Sequence, residues 1–280
     1  MLPILNPTVK RLKQLGEIVF VGLGLNDELG MSLHGVEMVR AASHVFLELY
    51  TSLLPSFSMK CFEEISGKKA VVVSREELEE KNGETILKAA EKAKVAFVVP
   101  GDPLIATTHI ALRVQAEKRG IKTRIVHGAS ILSAVMGLSG LHNYKFGKSV
   151  TIPFPNETSA ETPYETIAQN RKLGLHTLCL LDMRAEEKRY LTIHEALETL
   201  VQIEAKRKCG TITRKTLAVG VARAGSATPA VKADFVGSLR DYDFGAPPHT
   251  LVFPGELHFM EAEALVVLAG APKELKEACR

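Results

Sequence analysis

Residues 18–21 read IVFV and residues 95–99 read VAFVV, two unbroken apolar runs that stop on small residues, at Gly22-Leu23-Gly24 and at Pro100-Gly101-Asp102-Pro103. A strand with one wet face alternates apolar and polar side chains, whereas a continuous run is covered on both faces. Similar runs stand at residues 44–49, 69–74 and 122–127. Helical segments separate them. Ser32 caps a helix through about residue 42, REELEEKNGETILKAAEKA follows with Gly83 as its weak point, and TTHIALRVQAEKRG stops at Gly120. Ser130 then caps ILSAVMGL. This alternation predicts an α/β domain whose sheet is mostly parallel and covered by helices on both sides.

The second half has shorter spacings. Residues 148–154 and 176–182 read as strands around a helix at 162–174, and Thr192 caps a helix that closes on Gly210. TLAVGVARA, AVKADFVGSL and HTLVFPG follow as strands, with a last helix in ELHFMEAEALVVLAG. Fewer helices between strands predict a mixed sheet. Glycines and polar residues interrupt the pattern at residues 137–144, which sets the expected division: an extension at 1–17, an N-terminal α/β domain at 18–138 and a C-terminal α/β domain at 139–280.

The 280 residues suit two domains, and 46% apolar with 24% charged residues is a globular balance. A net charge of +3 does not point to nucleic acid. No apolar run approaches the roughly 20 residues that span a bilayer, and residues 1–17 lack the long apolar region and cleavage site of a signal peptide. Cys61, Cys179, Cys209 and Cys279 lie far apart with no C-x-x-C pair, so neither zinc nor a disulfide framework is expected, and a reducing cytoplasm fits.

The strand ends carry the chemistry. Gly22 and Gly24 match two positions of G-x-G-x-x-G, but the third is Asp27, and with Glu28 beside it a phosphate cradle is disfavoured. A neutral or cationic ligand, or a plain strand-ending turn, remains open. Asp102 stands at the carboxyl end of a parallel strand, where open α/β sheets bind ligands, and Pro100 and Pro103 stiffen its turn. The alternative role for Asp102 is a turn or cap residue; Thr107 and Thr108 read as caps. His127 precedes Gly128-Ala129-Ser130 and reads as structural, while Ser130 either caps its helix or binds. Pro247-Pro248 aims His249, and Leu181-Asp182 and Ala224-Gly225 end strands in the second half. Small-residue loops in both halves predict a cleft between two domains. No G-x-S-x-G with a Ser-His-Asp grouping and no H-E-x-x-H occurs, so nucleophilic hydrolysis and metal catalysis have no support.

Taken in order, VGLGLNDE, LELYTSLL, PGDPLIATTH, HGASILSAVMGLSGLHNYKFGKS, GLHTLCLLDM, VARAGS and PPHTLVFPGELHFMEAEAL resemble the diphthine synthases, a group within the tetrapyrrole-methylase-like class III methyltransferases. ELYTS and GDPLIATTH are the specific motifs, and the likeness runs from about residue 18 to 272. It implies two α/β domains of the tetrapyrrole methylase type, a homodimer, and S-adenosylmethionine in the cleft, leaving S-adenosylhomocysteine as product. It implies methylation of the amino group of a modified histidine on translation elongation factor 2, giving diphthine in diphthamide biosynthesis, with no direct nucleic-acid or membrane partner. By motif position it implies cofactor contacts at Leu25, Asp102, Ile105, Ser130, Ile131, Leu181, Ala224 and His249. No general base and no metal ligand is assigned. The alternatives are a methylase of the same fold acting on a tetrapyrrole precursor or ribosomal RNA, and a non-catalytic module binding an adenosine ligand.

Overall fold

The computed structural model describes residues 16–155 and 161–278. Most of the expected extension, and Cys279, lie outside the described residues. β1 (Glu17–Gly22) shows why its run is continuous: Ile18 and Phe20 pack on one face with Leu87 and Leu112, and Val19 and Val21 on the other with Val39 and Phe62. Those partners come from α1 (Leu33–Arg40), α2 (Met59–Ser66), α3 (Glu84–Ala90) and α4 (Ile110–Lys118). With β2 (His44–Glu48), β3 (Val71–Val73), β4 (Lys94–Val99) and β5 (Lys122–Val126), the sheet has the order β3-β2-β4-β1-β5 and every pair is parallel. All five carboxyl ends therefore point to one edge.

α5 (Ile131–Ser139) follows, capped by Ser130 as the sequence predicts, with Gly140 closing it at φ 76°. The second sheet uses β6 (Val150–Ile152), β7 (Thr177–Leu181), β10 (Leu217–Ala222), β11 (Ala230–Phe235) and β12 (His249–Phe253) in the order β11-β10-β12-β7-β6. Only β6 and β7 are parallel, which makes it the expected mixed sheet. α6 (Glu161–Lys172) and α7 (Ile193–Arg207) cover one face, through Ile167 and Leu200. α5 and α9 (Phe259–Leu268) cover the other: Val135 and Leu265 pack with Leu178, Val219 and Val252. α5 thus packs on the second sheet although it follows β5, and the chain crosses between sheets at residues 127–131.

Some elements differ from expectation. Residues 75–93 are not one helix. A five-residue π turn, Glu76–Glu80, is followed by Asn82 and Gly83 at φ 55° and 65° before α3 begins. Gly83 suits this turn through its left-handed φ of 65°, and its missing Cβ leaves room for the Leu112 methyl of α4. AVKADFVGSL is a strand only to Phe235 and then turns into α8 (Val236–Leu239). Unanticipated elements are α2, the hairpin β8 (Met183–Arg184) to β9 (Arg189–Tyr190), and α10 (Glu274–Ala278). α2 did carry readable signals, since Ser58 caps it and Gly67 closes it at φ 65°.

Candidate active site

The loops after β1, β4 and β5 meet at the carboxyl edge of the first sheet. A Cβ on Gly22 would lie 2.5 Å from the Gly101 carbonyl oxygen and 2.6 Å from Gly128 N. What approaches the first glycine loop is therefore the protein's own backbone. Gly101 N donates to Gly24 O at 2.7 Å, and Gly24 N returns a bond to Gly101 O at 3.2 Å. Gly24 holds φ 80°, a left-handed conformation natural to glycine. The acidic pair beyond it faces the protein: Asp27 caps a short 3-10 turn through Leu29 N at 3.0 Å, and buried Glu28 accepts from Ser58 N at 3.0 Å.

Above this floor the loops of both sheets surround a cleft that is open at its mouth. All eight residues singled out by motif position line it: Leu25, Asp102, Ile105, Ser130 and Ile131 on the first sheet's side, with Leu181, Ala224 and His249 facing them. Gly225 lets the second wall close, since a Cβ there would stand 2.5 Å from Leu25 Cβ. Thr51, Ser52 and Leu53 form a further wall that residue-level reading missed, although they belong to the quoted LELYTSLL stretch; Met183 was missed too. None of the described lining residues is Lys or Arg.

Asp102 is buried, with 7% of its surface exposed. Its Oδ2 accepts from His127 Nδ1 at 2.7 Å and its Oδ1 from Leu104 N at 3.2 Å. It does not cap α4, which begins eight residues later at Ile110. His127 is structural in the sense that it orients this carboxylate. Ser130 does cap, accepting from Leu132 N at 3.2 Å, which leaves its hydroxyl proton for the cleft. His249 has both ring nitrogens engaged: Nδ1 accepts from Ile193 N at 3.3 Å, so Nε2–H donates to Gly245 O at 3.0 Å. Burial holds this imidazole below the usual histidine range, hence neutral.

Behind Thr51 lies a second polar group. Glu48 ends β2 fully buried, and its Oε2 accepts from Tyr50 N at 3.1 Å and Thr51 N at 3.4 Å. Its Oε1 faces His109 Nε2 at 3.6 Å, and neither atom has a hydrogen-bond partner among the described residues. His109 Nδ1 donates to the Pro103 carbonyl at 3.3 Å. Burial pushes the Glu48 carboxyl up to about 7, against the pull of the Thr51 side chain, then of the Thr51 and Tyr50 amides and Arg75. Burial pushes His109 down to about 4.

Two α/β layers sharing a cleft at strand ends are the frame of a methylase class. The family of Tetrapyrrole (Corrin/Porphyrin) Methylases matches residues 17–238. A diphthine synthase of Methanosarcina acetivorans is 50% identical over 266 residues, covering 93% of this chain and 98% of the relative. One of Methanothermobacter thermautotrophicus is 44% identical, covering 93% and 98%. A crystal structure of diphthine synthase superposes with TM-score 0.85 at 44% identity over 93% of this chain and 99% of its own. A putative diphthine synthase from Entamoeba histolytica gives 0.81 at 34%, over 92% and 99%. The chain belongs to the diphthine synthases, within the tetrapyrrole methylase family, and is a methyltransferase.

Proposed function

We propose that the cleft binds S-adenosylmethionine and that the protein methylates the amino group of the modified histidine of translation elongation factor 2, giving diphthine. The observation that carries this reading is the convergence of eight motif-matched residues on one cleft that no described Lys or Arg lines. Such a lining does not suit a phosphate, and it suits a phosphate-free cation with one flat apolar part. Leu25, Ile105, Ile131, Leu181 and Ala224 would hold the apolar part, and Asp102 and Ser130 the polar part. When bound, S-adenosylmethionine supplies a methyl already activated on a sulfonium sulfur and leaves as S-adenosylhomocysteine.

The chain's own contribution is alignment and exclusion of water. Orientation of this kind is worth roughly 7–11 kcal/mol in favourable cases. The attacking amine must be neutral, and its proton leaves to water. His249 is not positioned to take it, because both ring nitrogens are already bonded. Asp102 is held by His127 and orients rather than accepts a proton. The family likeness extends the reading to a homodimer, the scattered cysteines fit the cytoplasm, and the division at 18–138 and 139–280 stands as a proposal in which α5 of the first segment packs on the second sheet. The test is mass spectrometry of elongation factor 2 after incubation with the protein and S-adenosylmethionine. A mass gain in whole methyl increments on the modified histidine is expected; an unchanged mass alongside measured cofactor binding overturns the substrate.

A further inference from the structure

We propose that Glu48 and His109 are positioning residues that tie two walls of the cleft together through one shared proton. This rests on the cofactor reading above. Glu48 Oε2 gathers the amides of Tyr50 and Thr51, which lead into the wall formed by Thr51, Ser52 and Leu53. His109 Nδ1 donates to the carbonyl of Pro103, next to Asp102 in the adjoining wall. The free ends, Glu48 Oε1 and His109 Nε2, face each other at 3.6 Å, slightly beyond hydrogen-bond length, with no other partner among the described residues.

The proton count follows from the partners. His109 spends its only proton on Pro103, so Nε2 presents a lone pair. An ionised Glu48 would oppose that lone pair with a second acceptor in a dry site, and two buried polar atoms would stay unsatisfied. A neutral carboxyl donating from Oε1 satisfies both at once. The opposite burial shifts of the two groups place the proton on the carboxyl and agree with this arrangement. The other groups around the pair do not supply the proton. The Tyr50 hydroxyl keeps its proton, since burial raises it, but it makes no hydrogen bond to either group and is itself buried without a partner among the described residues. Arg75 lies over the Tyr50 ring at 5.4 Å and pairs with Glu79 at 3.8 Å. From β4 the Phe97 ring stands edge-on to His109 at 5.1 Å.

The link therefore holds at mildly acid pH, above the range where His109 protonates, and opens as Glu48 ionises around 7. Neutral Glu48 falls about tenfold between about pH 6 and pH 8 for a group titrating near 7. The cofactor wall loosens over the same interval. Glu48→Gln keeps the acceptor for the two amides and offers an N–H to His109 at every pH. It reproduces the neutral carboxyl permanently.

The test is calorimetric titration with S-adenosylhomocysteine from about pH 6 to pH 9 on the parent and on Glu48→Gln. The parent is expected to lose several-fold affinity through a midpoint near 7, and the variant to stay at the parent's acid-side affinity throughout. Coincident pH profiles overturn the positioning role alone. No binding by the parent overturns the cofactor reading and the positioning role with it. Should Glu48→Gln fail to fold, ¹⁵N spectra of the parent's histidine rings decide. His109 must show the Nδ1–H tautomer, with an Nε2 shift that moves near pH 7. An Nε2–H tautomer overturns the shared proton.

Discussion

Asp102 serves a turn and a charge with the same carboxylate, and the two duties separate by substitution. Asparagine keeps an oxygen for Leu104 N but removes the charge that faces His127 and the cleft. A charge-assisted hydrogen bond is worth roughly 1.5–3 kcal/mol. Asp102→Asn is therefore expected to weaken S-adenosylhomocysteine binding by about one to two powers of ten at a near-parental melting temperature. Parental affinity in calorimetry would remove Asp102 from the site. Gly24 behaves differently. Its loop reads in the sequence as either an approach for a ligand or a plain turn, and in the structure a Cβ there would lie 2.9 Å from the Gly30 carbonyl oxygen, at φ 80°. Gly24→Val is expected to lose about 1–3 kcal/mol of stability in urea melts, with weaker cofactor binding as a consequence. The motif named these residues. Their duties were not legible, because His127 reaches Asp102 from the loop after β5 and Gly30 folds back onto Gly24 through a 3-10 turn.

Elements were most legible where caps bracket an apolar period. Ser32, Ser130 and Thr192 each cap the helix their spacing predicts, and Thr192 forms a full capping box with Glu195. Legibility failed where tertiary contact overrides period, as at Gly83 under Leu112. α9 shows a further element-scale feature outside sequence reach. Buried Glu261 accepts from His142 N, His258 N, Lys145 Nζ and His176 Nε2 at 2.7–2.9 Å, joining α9 to the loops before β6 and β7. Burial alone would raise this carboxyl, but the four donors hold it down to about 2. A carboxyl lowered from 4.5 stabilises the fold above the unfolded value and loses that contribution as pH falls towards 2. Glu261→Gln is expected to cost about 3 kcal/mol near neutrality and to flatten the stability loss between about pH 4.5 and pH 2. A variant whose acid unfolding curve parallels the parent's would contradict this.

At the scale of the molecule, two sheets of different topology share one cleft. Continuous runs announced the parallel sheet and close-spaced strands the mixed one, whereas the cleft's residue list came from likeness to a family. A strand end does not reveal which distant strand end it faces. The cationless lining has a consequence for selectivity. NAD, NADP and ATP are expected to bind at least about tenfold more weakly than S-adenosylhomocysteine, since each phosphate forgoes charge-assisted partners worth roughly 1.5–3 kcal/mol. Competitive calorimetry checks this, and a dinucleotide of equal affinity would refute it. The reciprocal Gly24–Gly101 bonds carry one more implication. Those two amides join the ends of β1 and β4, both inside the parallel sheet, so they should exchange with deuterium only when the whole sheet opens. The floor then does not breathe, and the motion that admits a ligand belongs to the loops that rise above it.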